Sequence, residues 1–132
     1  MPPNARLIAR GAAPGDLEWI ARVTGSRLRA LGVDWVLAPV AEIHSSPENP
    51  VIGARSFGTD AEPVASAVAE TLRGHRAAGI ASCLKHFPGH GDTTTDSHVA
   101  RPVSAGSVAS LEARELLPFR ANLDAGAIMT AH

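Results

Sequence analysis

A second cysteine, a basic run, an apolar segment of membrane length and a phosphate-cradling glycine loop are all missing from this sequence. With Cys83 alone there is no disulfide framework, and nothing about compartment follows from it. The formal charge of -1 and the pI near 6.6 do not suit a phosphate-backbone partner, so nucleic acid is not expected. No apolar run approaches the roughly 18 residues that would span a bilayer, and no membrane segment is expected in this chain. Met1-Pro2-Pro3-Asn4 lacks the charged-then-apolar order of a signal peptide, which makes a soluble, cytoplasmic chain the expectation. Neither GxGxxG nor GxxxxGKS/T occurs, so nucleotide binding has no sequence support. What is present is 132 residues, enough for one ordinary domain with a sizeable core.

Periodicity divides the chain. Residues 1–13, with Pro2, Pro3 and Gly11, read as an irregular lead-in. Leu17, Ile20, Ala21, Thr24, Leu28 and Leu31 then fall at helical spacing, with Asp16 placed to cap the helix and Gly32 to stop it. Val33 to Pro39 reads as a short strand ended by proline. After a polar passage a second helix opens at Thr59, with Glu62 three residues on as in a capping box. Val64, Ala67, Val68, Thr71, Leu72 and His75 line its inner face, and Gly79 stops it. Ile80 to Leu84 reads as a buried strand, followed by a long polar loop to about Ser107. A third helix covers Val108 to Leu117, broken by Pro118, and Ala127 to Thr130 is a third strand.

Helix, strand, helix, strand, helix, strand implies a parallel sheet with helical crossovers. Each helix reaches its strand in a few residues, whereas each strand reaches its next helix through about 20, far above the usual 2–6. Loops on that side lie beyond the carboxyl ends of the strands, where α/β folds bind ligands, so both long loops should share one site. Three strands cannot close a (β/α)8 barrel, which takes eight such units and about 250 residues. The expected fold class is therefore α/β, an incomplete (β/α)8 TIM-type barrel of three units. Residues 1–132 would be a fragment of a larger catalytic domain. A small doubly wound domain is the competing expectation.

The chemistry gathers in Lys85-His86-Phe87-Pro88-Gly89-His90-Gly91-Asp92-Thr93-Thr94-Thr95-Asp96-Ser97-His98, which holds three of the six histidines. Asp96 and His98 are two apart, so an extended loop points both side chains the same way. A carboxylate beside an imidazole fixes its tautomer and suits it to proton transfer near neutral pH. The plainer alternative is an Asp96 that caps a turn and a His98 that is merely exposed. Lys85 and His86, at a strand end, can donate to substrate hydroxyls, and Arg55 can offer a planar fork of donors to a sugar or an anion. Each could equally be a surface group. His90, Asp92 and His132 are further candidates for the same mouth, while His44 and His75 read as structural. A rival chemistry is a metal held by His86, His90, Asp92, Asp96 and His98. Against it, His86 and His90 straddle Pro88-Gly89 and are not a one-face helical pair. Cys83 lies in an apolar strand and reads as packed.

KHFPGHGDTTTDSH closely resembles the signature of glycoside hydrolase family 3, in its β-N-acetylhexosaminidase branch. LAPVAEIHSSPENPVIGARSFGTD resembles that family's preceding loop, and the terminal Ile128-Met129-Thr130-Ala131-His132 its next strand. The resemblance implies a (β/α)8 barrel, with His98 as general acid/base oriented by Asp96, in place of the usual carboxylic acid. It implies that Lys85, His86 and Arg55 bind the N-acetylglucosamine unit, and that neither a metal nor an organic cofactor is needed. The partner would be a carbohydrate, such as a peptidoglycan fragment ending in N-acetylglucosamine. The family's nucleophilic aspartate belongs to a later strand, and Asp124, at a helix end, is no substitute. A non-catalytic sugar-binding module, keeping Lys85, His86 and Arg55, and a metal-dependent hydrolase are the alternatives.

Overall fold

Three parallel strands lie side by side in chain order: β1 (Trp35–Val36), β2 (Ala81–Phe87) and β3 (Ala127–Thr130). The computed structural model describes residues 4–95, 103–104 and 106–131. Trp35 faces Ala81 in the first pair and Cys83 faces Ala127 in the second. The β1 pairing continues past its last ladder residue. Cys83 N–H donates to the Ala38 carbonyl at 3.0 Å, and Ala41 N–H to the Lys85 carbonyl at 2.8 Å.

Parallel neighbours need crossovers, and helices supply them. After α1 (Ala5–Gly11), α2 (Asp16–Ala30) leads into β1, and α3 (Ala61–Ala77) joins β1 to β2. A segmented helix joins β2 to β3: α4 (Val108–Ser110), a wide π turn over Leu111–Glu115, and α5 (Leu117–Arg120). Gly32 and Gly79 end α2 and α3 at φ of +83° and +70°, a backbone region that glycine enters without strain. The short αβ connections follow from these stops.

The core lies between α3, α5 and the sheet, where Ala41, Ile43, Val64, Val68, Leu72, Leu84 and Phe119 pack together. All six residues expected on the inner face of the second helix are buried. Each fully buried valine or leucine side chain contributes about 1.5–3 kcal/mol, so this stripe fixes how α3 sits on β2. On its other side α3 meets α2 closely at Gly74. A Cβ there would stand 2.2 Å from the Glu18 carbonyl oxygen.

Several boundaries differ from the periodicity. The lead-in contains a helix, α1, capped by Asn4, whose side chain accepts from Leu7 N–H at 3.0 Å. Seven residues are too few to display a period, and Arg6 anchors the helix by donating to the Gly53 carbonyl at 2.8 Å. Gly15, not Asp16, is the N-cap of α2, and the Asp16 carboxylate accepts from Ala13 N–H instead. The capping box at Thr59 does not form. The helix opens after Asp60, whose third helical residue is Pro63, which has no N–H to give back. The third helix is not continuous over 108–117. Pro118 lies in the first turn of α5, where its missing N–H is harmless. Finally, β2 runs to Phe87 rather than Leu84, so Lys85 and His86 are strand residues.

Candidate active site

Glu42 is the centre of the polar groups at the carboxyl ends of the strands. It follows Ala41, the last residue of the β1 edge bonded to β2, and its side chain has no solvent exposure. A buried carboxylate is tolerated when its oxygens are used. Here one oxygen is 2.6 Å from His86 Nδ1, and the other accepts His90 N–H at 3.1 Å. The His86 and His90 rings are 5.4 Å apart and inclined by 31°. A carboxylate only accepts, so His86 Nδ1 carries the hydrogen, and in the neutral ring Nε2 keeps its lone pair.

Lys85, beside His86 in the strand, is half-buried. Desolvation lowers its pKa from the usual lysine range, and the Arg55 guanidinium lowers it further. Arg55 ends a short 3-10 turn, Gly53–Arg55, and donates to the Val51 carbonyl at 3.2 Å. Residues from the two long loops and from β2 therefore meet at one end of the sheet. Arg55 is near enough to Lys85 for their charges to interact, and His86 follows Lys85 in the strand.

The start of the histidine loop is docked on the loop after β1. Asn49 donates from Nδ2 to the His90 and Thr93 carbonyls, both at 2.8 Å. Its Oδ1 accepts from Val51 and Ile52 N–H. Ser46 N–H donates to the Gly91 carbonyl at 3.1 Å. Gly91 is so close to the Ile43 backbone that a Cβ would fall 1.7 Å from its carbonyl oxygen. Asp92 accepts from Ser104 Oγ. Glu115, turned inward by the π turn, is buried beneath Gly89 and pairs with Arg114 at 2.6 Å. Burial raises its pKa, against the pull of Arg114. The expected dyad, Asp96 and His98, lies outside the described residues, as does His132.

Glu42, Asn49 and Glu115 were not singled out by sequence reasoning. The one available signal was position: Glu42 stands alone between Ala41 and Ile43, two fully buried neighbours just past a strand. Among the described residues, the groups able to hold a metal are Glu42, His86 and His90, whose ligand atoms lie within 4.8 Å of one another. This is a nitrogen and oxygen set that zinc accepts, although Glu42 and His86 already bond to each other. Asp92, in the earlier metal set, is engaged with Ser104 instead.

Other candidates fall away from chemistry. Cys83 is buried in β2, where desolvation raises its thiol pKa. His75 is buried, its Nδ1 2.8 Å from Ser82 Oγ, and burial lowers its pKa. Burial and Arg6 lower that of His44. Asp124 pairs with Arg76 at 2.5 Å on the exposed surface. No helix among the described residues is long and apolar enough to cross a membrane.

The profile of the glycosyl hydrolase family 3 N-terminal domain matches residues 1–132. The chain is 40% identical over 117 residues to a β-hexosaminidase of Stenotrophomonas maltophilia, covering 87% of this chain and 34% of that protein. A family 3 β-N-acetylglucosaminidase from a Paenibacillus species superimposes with a TM-score of 0.90 at 45% identity, over 98% of this chain and 25% of that one. The structure of NagZ from Neisseria gonorrhoeae with N-trifluoroacetyl-D-glucosamine gives 0.81 at 38% identity, over 88% and 34%. The chain thus spans about a third or less of each of these proteins. Its fold is α/β of the TIM-barrel type, three adjacent strand and helix units.

Proposed function

This chain belongs to glycosyl hydrolase family 3, and from that premise we propose that it is part of the N-terminal catalytic domain of a retaining β-N-acetylhexosaminidase. The substrates are glycans ending in N-acetylglucosamine, such as peptidoglycan fragments. The observation that carries the reading is the grouping of Lys85 and Arg55 beside a His86 held by Glu42 at the carboxyl ends of the strands. These side chains suit a neutral, hydroxyl-rich ligand: two cations donate, and an oriented imidazole completes the set.

In the proposed reaction an aspartate outside these 132 residues attacks the anomeric carbon. His98, oriented by Asp96, gives its proton to the departing oxygen as the glycosidic bond breaks. His98 then takes a proton from water as that water displaces the enzyme carboxylate and releases the sugar. No cofactor enters this scheme. Nucleic acid is not among the proposed partners, and the cytoplasm is the proposed compartment, which cell fractionation tests.

Leaving-group dependence tests the assignment. In a full-length enzyme carrying this segment, His98→Ala should slow hydrolysis of N-acetyl-β-glucosaminides with poor leaving groups by about 100-fold or more. An activated dinitrophenyl glycoside, which needs little protonation, should be affected far less in the glycosylation step. Equal losses on both substrates in that step would remove His98 from the acid role. Retention of activity in the presence of a chelator separates this reading from a metal-dependent hydrolase built on Glu42, His86 and His90.

A further inference from the structure

We propose that Glu42 is a positioning residue that sets the hydrogen-bond polarity of the sugar site and anchors the loop leading to the acid/base. The inference rests on the glycosidase reading above and adds to it a residue behind the ones that touch the sugar.

Lys85 and Arg55 can only donate hydrogen bonds. A sugar hydroxyl both donates and accepts, and those two cations offer its hydrogen no acceptor. Among the described residues beside them, His86 can supply one, provided that its Nε2 carries a lone pair. That condition holds for neutral imidazole only when the hydrogen is on Nδ1. The Glu42 oxygen 2.6 Å from Nδ1 imposes that arrangement, because a carboxylate offers nothing but lone pairs.

The second oxygen works on a different element. It accepts His90 N–H at 3.1 Å, three residues beyond β2. From the other side Asn49 holds the His90 carbonyl at 2.8 Å. The residue at the root of the histidine loop is thus gripped at both its backbone groups. One fully buried side chain on the β1 side therefore fixes the β2 end and the loop root together. The two histidine rings that it touches from either oxygen are 5.4 Å apart.

Glu42→Gln isolates this role, since glutamine has the same shape but one oxygen and one NH2 group. The backbone N–H of His90 cannot become an acceptor, whereas an imidazole can exchange tautomers. The amide oxygen should therefore stay with His90, its NH2 should face His86 Nδ1, and the His86 hydrogen should move to Nε2. Long-range 1H–15N spectra of histidine-labelled full-length enzyme carrying this segment, assigned with His86→Gln, read the tautomer directly. The expected results are Nδ1–H in the unsubstituted enzyme and Nε2–H in Glu42→Gln. The KM for an aryl N-acetyl-β-glucosaminide should rise about tenfold or more, with a smaller change in kcat. A variant with unchanged KM and unchanged tautomer overturns the proposal. So does an Nε2–H tautomer in the active, unsubstituted enzyme, a measurement that needs no variant to fold. Absence of turnover by the unsubstituted enzyme overturns the glycosidase reading instead.

Discussion

Lys85 is held at a cost to the fold that carries it. Its ammonium is partly desolvated beside Arg55, and both effects lower its pKa from the usual value. Folding thus disfavours the charged form. Below the folded pKa the lysine is charged in both states and the penalty is present in full. It is relieved as pH rises from that value toward 10.5, where the unfolded chain holds the extra proton. Lys85→Met removes the charge and keeps the stem. At pH 7 its Tm should equal or exceed that of the parent, and the gap should shrink on approaching pH 10. The same substitution should weaken binding of N-acetylglucosamine about tenfold or more, since a charged donor is lost. A Tm well below the parent at pH 7, with sugar affinity intact, would make Lys85 a structural residue.

At the scale of elements, the site depends on how closely α2 and α3 approach, because α3 is the crossover that delivers β2 beside β1. Gly74 makes that approach possible: a Cβ would stand 2.2 Å from the Glu18 carbonyl oxygen, 2.7 Å from Ala21 Cβ and 2.9 Å from Arg22 N. Two of these three contacts are backbone, which cannot yield as a side-chain tip can. Gly74→Ala, despite its better helix propensity, should destabilise a full-length enzyme carrying this segment by about 1–3 kcal/mol. Thermal unfolding followed by circular dichroism measures it, and an unchanged or raised Tm would show that the helices separate freely. Gly25, whose Cβ would meet Ala78 Cβ at 2.8 Å, belongs to the same seam.

For the whole molecule, three strands leave two sheet edges open among the described residues. Trp35 and Leu37 on one side and Ile128 on the other are about half exposed. Unpaired edges with exposed apolar side chains invite association. The 132-residue chain by itself should therefore self-associate in light scattering and show no measurable turnover of an aryl N-acetyl-β-glucosaminide. The proposed mechanism requires an aspartate that these residues do not supply. A sharp, monomeric unfolding transition would refute the first expectation, and turnover the second.

Local pattern was enough to recognise the helices α2 and α3, the three strands, the glycine stops and the motif carrying Lys85, His86 and the histidine loop. Each of these is a property of neighbouring residues: a period, a turn former, a run of unusual side chains. Tertiary structure alone decided that Glu42 would meet His86, 44 positions away, and that Asn49 would hold His90, 41 positions away. It also carried β2 through Phe87, because a polar strand end is sustained by its neighbours' hydrogen bonds and not by its own pattern. The chemistry was named by residues close together in the chain, and its geometry was set by residues far apart, since a buried carboxylate acquires its partners only when the strands are side by side.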